Sequence, residues 1–149
     1  MFDDKTIKSG KKLTEIFAIL ISIILLSISF FYSGIFHILN HSVFLTNLIN
    51  LGISQNIFSM VLSYLIPVLE IILSAAIIFP ILRKFSSIGL IIIIGFYTIL
   101  SGSAFLKGVN INSYLYGFKE PLSSNIVLKG VVYLVFAVYL LNKSFKNER

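Results

Sequence analysis

Four long apolar runs, separated by short polar stretches, organise this chain: residues 16–36, 57–79, 86–105 and 125–141. Each is close to the roughly 20 residues that the hydrocarbon core of a bilayer requires of a helix. Inside that core every backbone N–H and C=O must be satisfied within its own segment, so the runs predict helices rather than open strands. They are too long and continuous for the alternating strands of an outer-membrane barrel. They also lack the polar faces that a water-soluble four-helix bundle would need. Between the first two runs, Phe44, Leu45, Leu48, Ile49 and Leu51 recur at near-helical spacing. That spacing predicts a short amphipathic helix lying at the outer membrane interface. Between the last two, Gly108, Gly117 and Pro121 mark turns. No soluble domain, tandem repeat or low-complexity linker interrupts the pattern. The predicted fold is an all-α membrane protein, a four-transmembrane-helix bundle over residues 15–142. A basic segment (1–14) precedes it and a basic tail (143–149) follows.

Composition removes most alternatives. Charged residues make up 12% of the chain and hydrophobic ones 57%, with a mean hydropathy of +0.98. A soluble domain carries about 25% charged residues. Charge this sparse cannot coat a water-facing surface, which excludes an ordinary soluble enzyme and a disordered polar chain. With no cysteine in 149 residues, the chain by itself forms no disulfide, zinc–thiolate site or iron–sulfur cluster and performs no thiol catalysis. The charges that remain are grouped. Lys5, Lys8, Lys11 and Lys12 precede the first run, Arg83 and Lys84 divide the second from the third, and Lys143, Lys146 and Arg149 follow the fourth. The positive-inside rule puts that side, and with it both termini, in the cytoplasm. A multi-pass protein of the bacterial cytoplasmic (inner) membrane is expected. The net charge of +6 then reflects orientation and lipid headgroups, with no nucleic acid as partner. The first run exceeds the 7–15 residues or so of a secretory signal core and lacks a small-residue cleavage site, so it reads as a retained helix.

Glu70 is the only acidic residue deep inside a span. An ionised carboxylate there costs at least about 2–3 kcal/mol, so this one is expected to be neutral, hydrogen-bonded or functional. Ser63, Pro67, Glu70 and Ser74 share one helical face, which predicts that this face points into the bundle. Pro67 removes a backbone donor one turn before Glu70. Ser27, Tyr97, Thr98 and Tyr133 fall at similar depth, and a protonated Glu70 bonded to the hydroxyl of Tyr97 or Tyr133 is the simplest arrangement. Two roles stay open for it: a packing bond between helices, or a carboxyl that carries a proton or contacts a quinone. His37 closes the first span in register with Ser22, Ser29 and Ser33, and His41 follows four residues later. The two imidazoles are a weak metal candidate without a third ligand, and a solvated interfacial pair with no metal is expected. No nucleophile–base pair, phosphate-binding glycine loop or H-E-x-x-H motif is present. Neither catalytic residues nor an enzymatic activity of the chain's own is expected.

Three features recur here in a fixed order. F-x-x-G-I ends the first span as Phe31, Gly34 and Ile35, and P-x-x-E lies in the second as Pro67 and Glu70. K-G-V-N-I-N-S-Y-L-Y-G runs from Lys107 to Gly117 before the fourth. Over residues 15–142 the chain resembles the methylamine utilisation protein MauE family and the wider DoxX-like group. Lys107 and Gly108 fit the start of the family's outer loop, Tyr116 and Gly117 its end, and Lys129 the basic residue beyond. Where the family pattern has two cysteines, this chain has Ser113 and Leu115. The resemblance implies a four-helix membrane protein that supports periplasmic proteins through thiol–disulfide or respiratory redox chemistry. Serine and leucine supply neither thiolate nor disulfide.

What survives as an expectation is an accessory role on the outer face. The partners in view are the lipid bilayer and either a periplasmic thiol oxidoreductase or a larger membrane enzyme. Two other readings stay beside it. One is a small subunit holding a quinone or lipid on the Glu70 face, quinone being the one cofactor considered. The other is a purely structural subunit, whose Gly89, Gly95, Gly102 and Ala104 permit close helix approach. Glu70, Pro67, Tyr97 and Tyr133 form the expected intramembrane site, and Lys107, Gly108, Ser113, Tyr116 and Gly117 the expected loop site.

Overall fold

A computed structural model describes residues 4–146, with side chains from Lys12 onward. It contains α1 (Asp4–Leu39), α2 (His41–Asn50), α3 (Ile57–Ala76), α4 (Arg83–Leu106) and α5 (Ser124–Lys146). A two-residue antiparallel ladder, β1 (Asn112–Ser113) with β2 (Glu120–Pro121), lies in the α4–α5 connection. Four of the helices are long and apolar enough to cross a membrane: α1 from Lys12, α3, α4 and α5. The basic segment expected over 1–14 is helical from Asp4 and continues into α1 without a break, while residues 1–3 and 147–149 lie outside the described residues. Pro121, expected at a turn, instead pairs with Asn112 in the ladder.

The helices sort their side chains in the way a bilayer demands. Ile28, Ile92, Ile99, Leu128 and Val135 face outward, while Ser22, Ser33, Ser63, Ser74, Ser86, Ser87 and Ser101 are buried between helices. In lipid, apolar side chains gain nothing by hiding, and small residues let backbones approach. Several of these hydroxyls satisfy themselves on their own helix, as Ser22 does on the Ala18 carbonyl (2.7 Å) and Ser101 on that of Tyr97 (2.8 Å). The expected face of α3 is buried throughout: Ser63, Pro67, Glu70 and Ser74 all point inward.

Packing pairs α1 with α3 and α4 with α5, and α3 against α4 joins the two pairs. Gly34 sets the α1–α3 distance. A Cβ there would stand 2.7 Å from Ile71 Cγ1, 2.8 Å from the Pro67 carbonyl oxygen and 3.1 Å from Glu70 Cβ. The glycine brings α1 directly onto the turn of α3 that carries Glu70. α3 is started by a capping box, the Asn56 side chain accepting from Ser59 N–H (3.1 Å) while Ser59 Oγ accepts from Asn56 N–H (3.1 Å).

The short amphipathic helix exists as α2. Phe44 and Leu48 are fully buried, and Leu51 nearly so. Leu45 and Ile49 of the same stripe are partly buried, and α2 caps the end of the bundle opposite the termini.

Candidate functional site

The site is assembled from four directions beneath that cap. α1 contributes Ser33 and His37, one turn apart. α3 contributes Glu70, α4 contributes Tyr97, and the α4–α5 loop contributes two backbone carbonyls. Ser33, His37, Glu70 and Tyr97 are each 0–1% exposed. The Tyr97 hydroxyl donates to Glu70 Oε1 at 2.9 Å, and His37 Nδ1 lies 2.9 Å from Glu70 Oε2. Ser33 Oγ is 3.2 Å from Oε1 and 3.3 Å from the Leu115 carbonyl, and its single proton serves one of them at a time. His37 Nε2 sits 2.8 Å from the Tyr114 carbonyl. Phe44 of α2 lies flat against the imidazole, with centroids 3.8 Å apart and planes at 19°.

These contacts narrow the proton positions to two forms. A carbonyl only accepts, so Nε2 carries a hydrogen. Nδ1 then faces Glu70 in one of two forms. Either the protonated carboxyl donates to a neutral imidazole, or an imidazolium donates to a carboxylate. The two forms differ by the position of one proton between Oε2 and Nδ1, and the pair carries no net charge in either. A dry interior tolerates this where it would not tolerate a lone carboxylate. The arrangement can therefore hold one proton between nitrogen and oxygen, and it ties the loop to the centre of the bundle through Tyr114.

Sequence reasoning treated His37 and His41 as a solvated pair, and here the structure corrects it. His37 is fully buried, with both ring nitrogens engaged by Glu70 and Tyr114. His41 turns elsewhere and stacks on Tyr64 with centroids 3.9 Å apart. Ser63 Oγ donates to the Met60 carbonyl (2.7 Å) and so accepts from His41 Nε2 (2.8 Å). Among the described residues no group of three or more His, Cys, Asp or Glu side chains gathers to hold a metal. Tyr133, considered for Glu70, donates instead to Ser29 Oγ at 3.1 Å. Depth alone ranked it with Tyr97, but α5 packs mainly on α4 and away from α3. Ser33 and the loop carbonyls were missed. The available signal was the face shared by Ser33, Gly34 and His37 at the end of the first span, opposite a carboxyl in need of donors.

The loop residues divide into a rim and a tucked segment. Lys107 is the C-cap of α4 and is exposed, and Gly108 follows at φ +70°. Ser113, Leu115, Tyr116 and Gly117 are buried. Ser113 Oγ accepts from Leu115 N–H at 3.4 Å. Gly117 turns at φ +77° where a Cβ would meet Ser33 Cα at 3.1 Å. Tyr116 packs edge-on against Tyr97 (5.8 Å) and Phe30 (6.3 Å). Burial pushes the Tyr116 phenol well above its ordinary range, with the Thr98 hydroxyl opposing. Lys129 pairs with Glu120 at the rim. The two positions where the family pattern has cysteines, Ser113 and Leu115, lie in the tucked segment that carries the carbonyl bonded to Ser33.

The family model described as methylamine utilisation protein MauE matches residues 14–143. No curated protein and no solved structure matches the chain.

Proposed function

The chain belongs to the methylamine utilisation protein MauE family, and from that premise we propose an integral membrane accessory protein of methylamine-utilisation type. It supports the maturation or redox chemistry of a partner at the outer face of a bacterial cytoplasmic membrane. With both termini cytoplasmic, as the distribution of Lys and Arg supports, α2 and the α4–α5 loop face outward. The observation that carries this reading is the tie between loop and bundle. The Tyr114 and Leu115 carbonyls bond to His37 and Ser33, which in turn surround Glu70. Such a loop is a positioned platform, because its backbone is held from below by buried groups that cannot be left unpaired cheaply. The chain has no cysteine, so thiol chemistry at this platform belongs to the partner. Both Glu70 oxygens are engaged within the chain, which favours this reading over a quinone held on that carboxyl.

The test is photocrosslinking in native membranes from a probe at the exposed Lys107, followed by mass spectrometry of captured proteins and extracted small molecules. An outward-facing thiol oxidoreductase, its substrate protein or a larger membrane enzyme is the expected catch. A stoichiometric quinone or lipid with no such protein overturns the proposal.

A further inference from the structure

Beside the platform, between α2 and β1, lies a recess of about 250 Å³ that the site described above does not use. Its polar lining comes from Ser42, Thr46, Asn47, Asn50, Asn112 and Tyr114, and none of these carries a formal charge. Asn47 is the unusual member. It is 3% exposed, yet neither its carboxamide oxygen nor its nitrogen has a hydrogen-bond partner among the described residues. Buried amides are nearly always paired, and an exception calls for a reason. α2 could bury an apolar residue at this position as it does at Phe44 and Leu48.

We infer that this recess binds an extended peptide segment of a partner protein, with Asn47 reading its backbone. This deepens the platform reading and rests on it. A carboxamide offers a donor and an acceptor side by side, the complement of the N–H and C=O that a peptide unit presents. Asn112, which lines the same recess, belongs to β1, and among the described residues β1 pairs with no strand but β2, leaving its other edge without a strand neighbour. Strand addition at such an edge draws affinity from main-chain hydrogen bonds. The uncharged lining offers no counter-charge to an ionic headgroup or a free anion. The volume lies below the roughly 300–1,000 Å³ of pockets that enclose whole small ligands, and suits a short length of chain. Tyr114 joins the recess to the buried site, since it lines the one while its carbonyl accepts from His37 in the other.

The experiment places a photocrosslinker at Thr46, an exposed residue of the lining, in the full chain in native membranes, in parallel with the Lys107 probe. The expected result is capture of one outward-facing protein through a single contiguous segment. A synthetic peptide of that segment then binds the purified chain in nanodiscs. Asn47→Leu weakens that binding by about tenfold or more, the loss expected for one to two backbone hydrogen bonds. N-methylation of the contacting peptide unit weakens it similarly, and this arm leaves the protein untouched should Asn47→Leu disturb folding. Scattered crosslinks, crosslinks to lipid alone, or peptide binding indifferent to both changes overturn the inference. If the Lys107 probe captures a partner while the Thr46 probe does not, the recess fails and the platform stands. If neither captures one, both fail.

Discussion

Replacing Glu70 by alanine strips the acceptor and proton donor from the centre of the buried cluster, and its cost can be worked from the contacts. Tyr97 loses the oxygen at 2.9 Å and His37 Nδ1 loses the one at 2.9 Å, while Ser33 keeps the Leu115 carbonyl at 3.3 Å. Each of the two orphaned groups costs about 1–3 kcal/mol in a dry interior. The space left by the carboxyl adds roughly 1 kcal/mol. The expected loss is about 3–7 kcal/mol, overlapping the roughly 3–5 kcal/mol for removing one member of a buried pair. Glu70→Gln is the informative control. Its amide oxygen still accepts from Tyr97, one amide hydrogen donates to His37 Nδ1, and only the second hydrogen is left over, for about 1–2 kcal/mol. The assay is reversible unfolding in mixed micelles, with backbone hydrogen exchange over residues 113–117 as the readout of the loop. Glu70→Ala should speed exchange there and Glu70→Gln should hardly change it. An alanine variant within about 1 kcal/mol of the parent, with unchanged exchange, would refute the claim that this cluster holds the loop. A glutamine variant as damaged as the alanine one would show that the carboxylate–imidazolium form is the one that matters.

Other outcomes follow from single contacts. Gly34→Ala should cost about 3 kcal/mol, the upper end for overpacking, because one of the clashing atoms is the Pro67 carbonyl and cannot rotate away; the same unfolding assay checks it. Asn56→Ala removes the cap of α3 and should cost about 1 kcal/mol, with faster hydrogen exchange confined to the first turn after Ile57. The Tyr116 phenol ionises less readily folded than unfolded, so it stabilises the fold fully below the unfolded value near 10 and loses that contribution as pH rises through the higher folded value. Unfolding measured across alkaline pH should show a steeper decline in the parent than in Tyr116→Phe.

How much of this was legible in the sequence depended on whether the signal was local. The four spans declared themselves through runs of apolar residues, and the inward face of α3 through the spacing of Ser63, Pro67, Glu70 and Ser74. The start of α1 was placed at residue 16 because hydropathy marks where a helix enters lipid, whereas its hydrogen bonds continue back to Asp4. α2 was found by periodicity, but its burial against the bundle was not, since an apolar stripe looks the same whether membrane or protein covers it. His37 is the instructive case. Its nearest histidine in sequence suggested a solvated pair, yet its partner lies 33 residues away on α3. Tyr97 and Tyr133 fall at similar depth, and only the angular arrangement of helices separates the hydroxyl that reaches Glu70 from the one that reaches Ser29.

The imidazole of His37 touches the α4–α5 loop with one nitrogen and the bundle's carboxyl with the other. Thermodynamic reciprocity gives that geometry a consequence in both directions. Whatever pulls Tyr114 away from Nε2 also loosens the imidazole that Nδ1 holds against Glu70. Whatever disturbs the contact with Glu70 changes, by the same free energy, how firmly the loop is seated. The loop at the end of the bundle and the carboxyl in its interior are thus coupled through a single five-membered ring.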